Sequence, residues 1–420
     1  MGELSQLVED FGSPMYVYQL DTLRAAREDL RCVLPEPSSL YYSLKANPHP
    51  LLAQELRVSG CKAEISSTGE LGAALQAGFK GADCLFTGPA KGRLEIAAAL
   101  TAGVRRFSVE SAADLRRVGA VAAKANVTAE CLVRINSRSV GASGLRMGGV
   151  SQFGVEAEEV LHKPDQFTGV EGADVVGAHF FPLGNARDEG ALIAELTASI
   201  ALAACLRDQA GMEMSVVDLG GGFAAPYAQP GERPRYPLLR ASLETALDAH
   251  LTGWREGRPE VAFESGRYLV AECGTLLCTT VDVKSAHDST FVLLDSGIHH
   301  LGGMAGLGRL LRPAATPCSD AGTVSSESVG RVTLAGPLCT PADVIGRDIP
   351  VRHLNAGDLL AFPNTGAYGL TASLLAFLSR PAPAEIVLRG NVVESASQLN
   401  IVRTSIEAKS VPTTNGPLGL

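Results

Sequence analysis

Over roughly the first two thirds of the chain, short apolar runs alternate with stretches whose apolar residues recur at helical spacing. The runs are Ser39 to Leu44, Lys62 to Ile65, Asp83 to Phe86, Arg105 to Val109, Glu130 to Ile135, Asp174 to Phe180, Ser215 to Leu219 and Glu260 to Phe263. The intervening segments include Pro50 to Val58, Glu70 to Ala77, Gly92 to Ala102 and Ala112 to Lys124, all rich in alanine and leucine. Eight alternations over about 240 residues match a (β/α)8 barrel in count and length, with a doubly wound sheet as the fallback. From about Leu276 the texture changes. Alternation in Thr279-Thr280-Val281-Asp282-Val283 and the run Phe291-Val292-Leu293-Leu294 predict strands, with few helical patterns before Leu370. The expected organisation is a barrel over residues 24–275 and a β-rich domain formed by 1–23 together with 276–412, Met15-Tyr16-Val17-Tyr18 being a candidate strand of the first piece. Residues 413–420 read as a disordered tail, and Pro313 to Gly330, rich in proline, alanine and serine, as a mobile loop.

The barrel pattern says where chemistry belongs, because in that fold catalytic groups come from the carboxyl ends of strands and the loops that follow. Those ends are polar: Lys45, Ser66-Ser67, Thr87-Gly88, Glu110, Asn136, His179, Gly220-Gly221-Gly222 and Glu264-Ser265-Gly266-Arg267. Turn chemistry alone accounts for part of this set. A lysine, a histidine, three glycines and a Glu/Arg pair are a more unusual company.

The 420 residues exceed one ordinary core, and 46% hydrophobic residues supply two. A net charge of −9 without a long Lys/Arg run argues against nucleic acid or an anionic membrane as the main partner and for a small molecule. The first thirty residues, with Glu3, Glu9, Asp10 and Asp21, lack a basic start followed by an apolar core, and no apolar run reaches about 18 residues, so a cytoplasmic enzyme is expected. Nine cysteines, scattered and never paired as Cys-x-x-Cys, indicate neither a disulfide framework nor a zinc knuckle, and no metal site is expected.

Seven motifs occur in order: Tyr42-Ser43-Leu44-Lys45-Ala46-Asn47, Ser66-Ser67-Thr68-Gly69-Glu70, Ser151-Gln152-Phe153-Gly154, Asp218-Leu219-Gly220-Gly221-Gly222-Phe223, Glu264-Ser265-Gly266-Arg267, Gly336-Pro337-Leu338-Cys339 and Gly366-Ala367-Tyr368. Over nearly its whole length the chain resembles the fold-type III pyridoxal-phosphate decarboxylases, the group of diaminopimelate and ornithine decarboxylase, whose barrel is shared with alanine racemase. The resemblance implies pyridoxal 5'-phosphate as cofactor and a homodimer with active sites shared between subunits.

The residues make chemical sense of that likeness. Lys45 would hold the cofactor as a Schiff base, since an amine condensed with an aldehyde can be exchanged for the substrate's amine. Gly220, Gly221 and Gly222 let backbone N–H groups approach a phosphate closely, and Gly266, Arg267 and Tyr368 would complete the anchor. Glu264 would face the pyridine nitrogen and keep it protonated, which favours decarboxylation; a racemase of this fold is expected to carry an arginine there. Glu64 near the cofactor and Arg134 in support are implied as well. Cys339 matches the family's catalytic cysteine, which reaches the neighbouring subunit and donates a proton, and Asp343 also fits that motif.

The chain departs from the family in two places. Around the ring-stacking histidine it reads His179-Phe180-Phe181-Pro182-Leu183-Gly184, so either His179 or Phe181 offers the π-face. After the cysteine, where diaminopimelate and ornithine decarboxylases have an acid, it has Thr340, which cannot answer a distal ammonium group. With Asp343, the pattern Cys-Thr-Pro-x-Asp is similar to the subgroup acting on carrier-protein-linked amino acids or siderophore intermediates. Cys339, Thr340 and Asp343 are the implied substrate contacts. The alternatives are meso-diaminopimelate decarboxylase itself and a non-catalytic regulatory homologue.

Overall fold

A computed structural model describes residues 2–136, 145–146, 152–305, 314–318, 330–351 and 353–405. Most of the expected loop between Pro313 and Gly330, the tail 413–420 and Ser151 of the third motif lie outside the described residues.

Strand β1 (Met15–Gln19) comes before the barrel. The barrel strands are β2 (Ser39–Ser43), β3 (Lys62–Ile65), β4 (Cys84–Phe86), β5 (Arg106–Val109), β6 (Ala129–Asn136), β7 (Ala173–Phe180), β8 (Val216–Asp218) and β9 (Glu260–Ser265). Every neighbouring pair is parallel, and β9 pairs with β2 to close the ring. The eight apolar runs of the sequence are these eight strands. Where a start differs, local geometry explains it: Asp83 ends a short 3-10 turn before β4 begins at Cys84.

Tyr41, Leu85, Leu132, Val216 and Ala262, all on barrel strands, form one buried cluster. Helices cover the outside, and the largest, Glu189–Ala210, buries Leu192, Leu196, Ile200 and Ala203. By length and composition this helix could cross a membrane; in the fold it is part of the barrel wall, packed on the helix Leu239–His250. Its αL C-cap is Gly211, and Asp188 caps its N-terminus by accepting the Ala191 N–H at 2.7 Å.

The second unit is a sheet built on β10 (Gly274–Ala286). This long strand pairs with β1, with β11 (Ser289–Leu294) and with β14 (Leu359–Phe362). β12 (Gly330–Ala335) and β13 (Val344–Val351) extend it on one side, β15 (Ala384–Arg389) and β16 (Val392–Gln398) on the other. The N-terminal strand therefore lies between β10 and β15, far from it in sequence.

Candidate active site

The carboxyl ends of the barrel strands surround a cavity of about 820 Å³. Its lining includes Lys45, Glu64, Thr87, Arg134, His179, Phe181, Gly221, Gly222, Glu264, Gly266, Arg267 and Tyr368, so most of the sequence-derived cofactor residues meet in one place.

Lys45 follows β2 in a single 3-10 turn, Leu44–Ala46, whose neighbours Leu44 and Ala46 are buried and fix the direction of the lysine. Its side chain is 39% exposed toward the cavity, and Nζ lies 3.1 Å from Glu64 Oε2. Burial opposes the charge, but Glu64 first and Glu264 next outweigh it and raise the ammonium pKa. Glu64 comes from the centre of β3 and is buried; Thr87 Oγ1 and Ser66 Oγ donate to it, and despite burial Lys45 and Thr87 hold its carboxyl below the usual range.

His179, near the end of β7, is 1% exposed. Its Nδ1 shares a 2.7 Å hydrogen bond with Ser108 Oγ on β5, and its Nε2 lies 3.4 Å from Glu264 Oε1 without hydrogen-bond geometry. Burial, then Arg134 and Lys45, push the imidazole pKa well down, so the ring is neutral. Phe181, one residue past the strand, presents its ring 5.4 Å below Lys45 Nζ. Both aromatic candidates thus line the cavity, His179 beside Glu264 and Phe181 beside Lys45. Arg134 on β6 donates to Glu110 Oε1 at 3.2 Å and lies 4.7 Å over the Phe153 ring. The other oxygen of Glu110 accepts the Gly154 N–H at 2.6 Å, which ties the third motif to the barrel.

A side chain at any of the three glycines would be strained, by collision at Gly220 and Gly221 and by a positive φ at Gly220 and Gly222. A Cβ at Gly220 would run into Phe180 O, and one at Gly221 into Glu264 O; Gly220 and Gly222 have φ of +69° and +105°. A Cβ at Gly266 would stand 2.7 Å from that of Ala46. Arg267 stacks 4.6 Å over the Tyr368 ring, and the Tyr368 N–H donates to Ala46 O at 2.8 Å, so the lysine turn and the second domain's aromatic anchor are bonded together.

Cys339, Thr340 and Asp343 are not brought to the cavity of their own chain. Cys339 is exposed, on the turn between β12 and β13. Asp343 is buried, with Oδ1 accepting the Ile298 N–H at 2.9 Å and Oδ2 the Leu338 N–H at 2.7 Å, so its carboxylate holds the turn that carries the cysteine.

Residues 20–271 match the family described as pyridoxal-dependent decarboxylase, pyridoxal binding domain. The chain belongs to this family. The pyridoxal-dependent decarboxylase is 31% identical, over 97% of both chains, to the L-glutamyl-[BtrI acyl-carrier protein] decarboxylase of Niallia circulans. It is 30% identical to the diaminopimelate decarboxylase of Archaeoglobus fulgidus, over 93% of this chain and 91% of that one. Among solved structures, the diaminopimelate decarboxylase of M. jannaschii in complex with L-lysine has a TM-score of 0.79 at 25% identity, covering 92% of this chain and 90% of that one.

The decarboxylase's own geometry fits the cofactor. Glu264 Oε1 and His179 Nε2 are buried polar atoms without a hydrogen-bond partner at the cavity floor, the glycines leave a cradle that side chains would fill, and Arg267 has no carboxylate partner among the described residues. Lys45 would attach the cofactor; Gly220 to Gly222, Arg267 and Tyr368 would hold its phosphate, and Glu264 its ring nitrogen. Bound there, pyridoxal phosphate supplies an electron sink for the pair left behind when the α-carboxylate departs as CO₂. Glu64 orients Lys45, and Arg134 is kept in line by Glu110.

Sequence reasoning assigned no role to Ser108, Lys91 or Arg187. Ser108 sits on an inward position of β5, which strand alternation could have shown. Lys91 is buried against Asp114 at 2.7 Å, a pairing across a helix that only the fold brings together.

Proposed function

We propose that this decarboxylase removes the α-carboxylate of an amino acid whose distal end is neutral or anionic, presented on an acyl carrier protein, and that it works as a homodimer in which Cys339 of each chain serves the other's cavity. The observation that carries the substrate reading is the pairing of charges in the cavity. Its carboxylates among the described residues, Glu64 and Glu264, both belong to the cofactor end, one bonded to Lys45 and the other beside His179. Thr340 adds none. Arg187 lines the same cavity, exposed and with no acidic partner among the described residues. A distal ammonium group would therefore meet cations and find no answering charge. The likeness to the carrier-linked glutamyl decarboxylase over the full length agrees with this. The dimer reading rests on the exposure of Cys339, outside its own chain's cavity, on a turn held in place by Asp343.

CO₂ release measured with carrier-linked L-glutamyl groups, free L-glutamate and meso-diaminopimelate tests the proposal. The carrier-linked group should give the highest kcat/KM, with meso-diaminopimelate at least about tenfold lower, an energy difference of one charge pair. Comparable or faster conversion of meso-diaminopimelate to lysine would instead make the chain a diaminopimelate decarboxylase.

A further inference from the structure

Asp218 opens the glycine motif, and neither the cofactor anchor nor the lysine pairing uses it. It is fully buried at the end of β8, in register with His179 on β7 and with Ala262 on β9. Its Oδ1 accepts the Gly220 N–H at 2.8 Å and so braces the first glycine of the cradle. Its Oδ2 is buried without a hydrogen-bond partner among the described residues, as are His179 Nε2 and Glu264 Oε1. His179, Asp218 and Glu264 come together with polar atoms within 4.8 Å of one another.

The charges around this cluster do not balance it. Glu64 faces it from β3 and is bonded to Lys45; Arg134, on β6, is bonded to Glu110. Arg106 on β5 and Glu260 on β9 lie on the other side, bonded to each other at 3.0 Å, with Arg106 also donating to Tyr41 on β2. His179 is neutral. No cation is hydrogen-bonded to either Asp218 or Glu264 among the described residues, and two carboxylates this close in a dry interior do not both ionise. Burial first, with Glu64 and Glu260 adding, raises the Asp218 carboxyl to about 7 against the Gly220 amide and Arg106; burial, Glu64 and Asp218 raise Glu264 well above the usual carboxylate range. The two differ in where they look. Glu264 lines the cavity, where Lys45 and Arg134 favour its charge, whereas Asp218 lies behind it.

We infer that Asp218 and Glu264 hold one proton between them behind the cavity, so that Asp218 acts on the cofactor's ring nitrogen only through Glu264. Asp218 is on this reading a positioning residue that joins the phosphate cradle, through Gly220, to the carboxylate that sets the electron sink. It holds whichever amino acid is the substrate.

Infrared titration of the cofactor-free protein labelled with ¹³C-aspartate reads the proton directly. The carbonyl stretch of a protonated aspartic acid should persist at pH 6, fade through about 7, and be missing from Asp218→Asn. In the loaded enzyme, Asp218→Asn keeps a donor at the same place, so kcat should stay within about threefold of wild type with an unshifted cofactor absorbance band, while Asp218→Ala should lose about tenfold or more and shift the band. Wild type should show a pH-dependent limb near 7, and the Asn variant should lack it. Absence of any protonated aspartic carbonyl in wild type above pH 5 would overturn the inference whether or not a variant folds. Equal impairment of the Asn and Ala variants, with the wild-type pH profile retained in both, would overturn it as well.

Discussion

Glu385 shows at single-residue scale how burial turns a carboxyl into a pH-dependent component of stability. It is 4% exposed on β15, and its only hydrogen-bonding side chain among the described residues is Tyr18, whose hydroxyl donates to Oε1 at 3.0 Å. Burial raises its pKa from 4.5 to about 7, with Tyr18 working the other way. Below pH 4.5 the group is protonated folded and unfolded, and costs nothing. Between 4.5 and about 7 the unfolded chain releases the proton first, so stability falls as pH rises; above 7 the loss is complete. Glu385→Gln should therefore raise unfolding free energy at pH 8 by on the order of 2–3 kcal/mol, with the gain vanishing toward acid pH. Chemical denaturation at the two ends of that range measures it. An equal gain at both pH values would contradict the titration and point to packing alone.

At the scale of elements, the strand ends were legible because the fold leaves them little choice. Each apolar run had to be buried on the barrel's interior side or under its helices, and a polar residue following such a run had to lie at the rim. This is why Lys45, His179, the glycines and Glu264 could be placed together before any contact was known. What the sequence did not display was pairing between rim residues of different strands. The bonds of Ser108 to His179 and of Glu110 to Arg134 and Gly154 depend on neighbours at |i−j| of 71, 24 and 44. The bonds of Asp343 were hidden too: its carboxylate accepts from two backbone amides of its own domain, that of Ile298 far from it in sequence. The glycine cradle gives this scale its prediction. Gly221→Ala would press a methyl group against Glu264 O and disturb both the cradle and the carboxylate beside it. Pyridoxal phosphate affinity, measured by equilibrium dialysis of the variant, should fall at least about tenfold, or 1.4 kcal/mol. Unchanged affinity would mean that the phosphate is held elsewhere.

On the scale of the whole molecule, the second domain was the less legible part. Its strands were recognisable by alternation, but the order in the sheet, with β1 between β10 and β15, depends on pairings far apart in the chain. The opening segment Gly2–Phe11 is a helix that the sequence reading did not delimit, and it packs Leu7 against Met15, Val17 and Leu277. The placement of Cys339 outside its own cavity makes the proposed dimer testable by exchange. Lys45→Ala and Cys339→Ala chains are each expected to be inactive. Mixed in equal amounts, they should form about half mixed dimers, each with one intact site of two, and so recover about a quarter of wild-type activity. No recovery after proven exchange would rule out sharing.

The attachment of the cofactor at the end of β2 is the statement on which the rest depends. Reduction of the loaded protein with borohydride, followed by peptide mass spectrometry, tests it most directly. The pyridoxyl phosphate mass should appear on Lys45 and disappear in Lys45→Ala. A label on another lysine, or none in a protein that still releases CO₂, would contradict it.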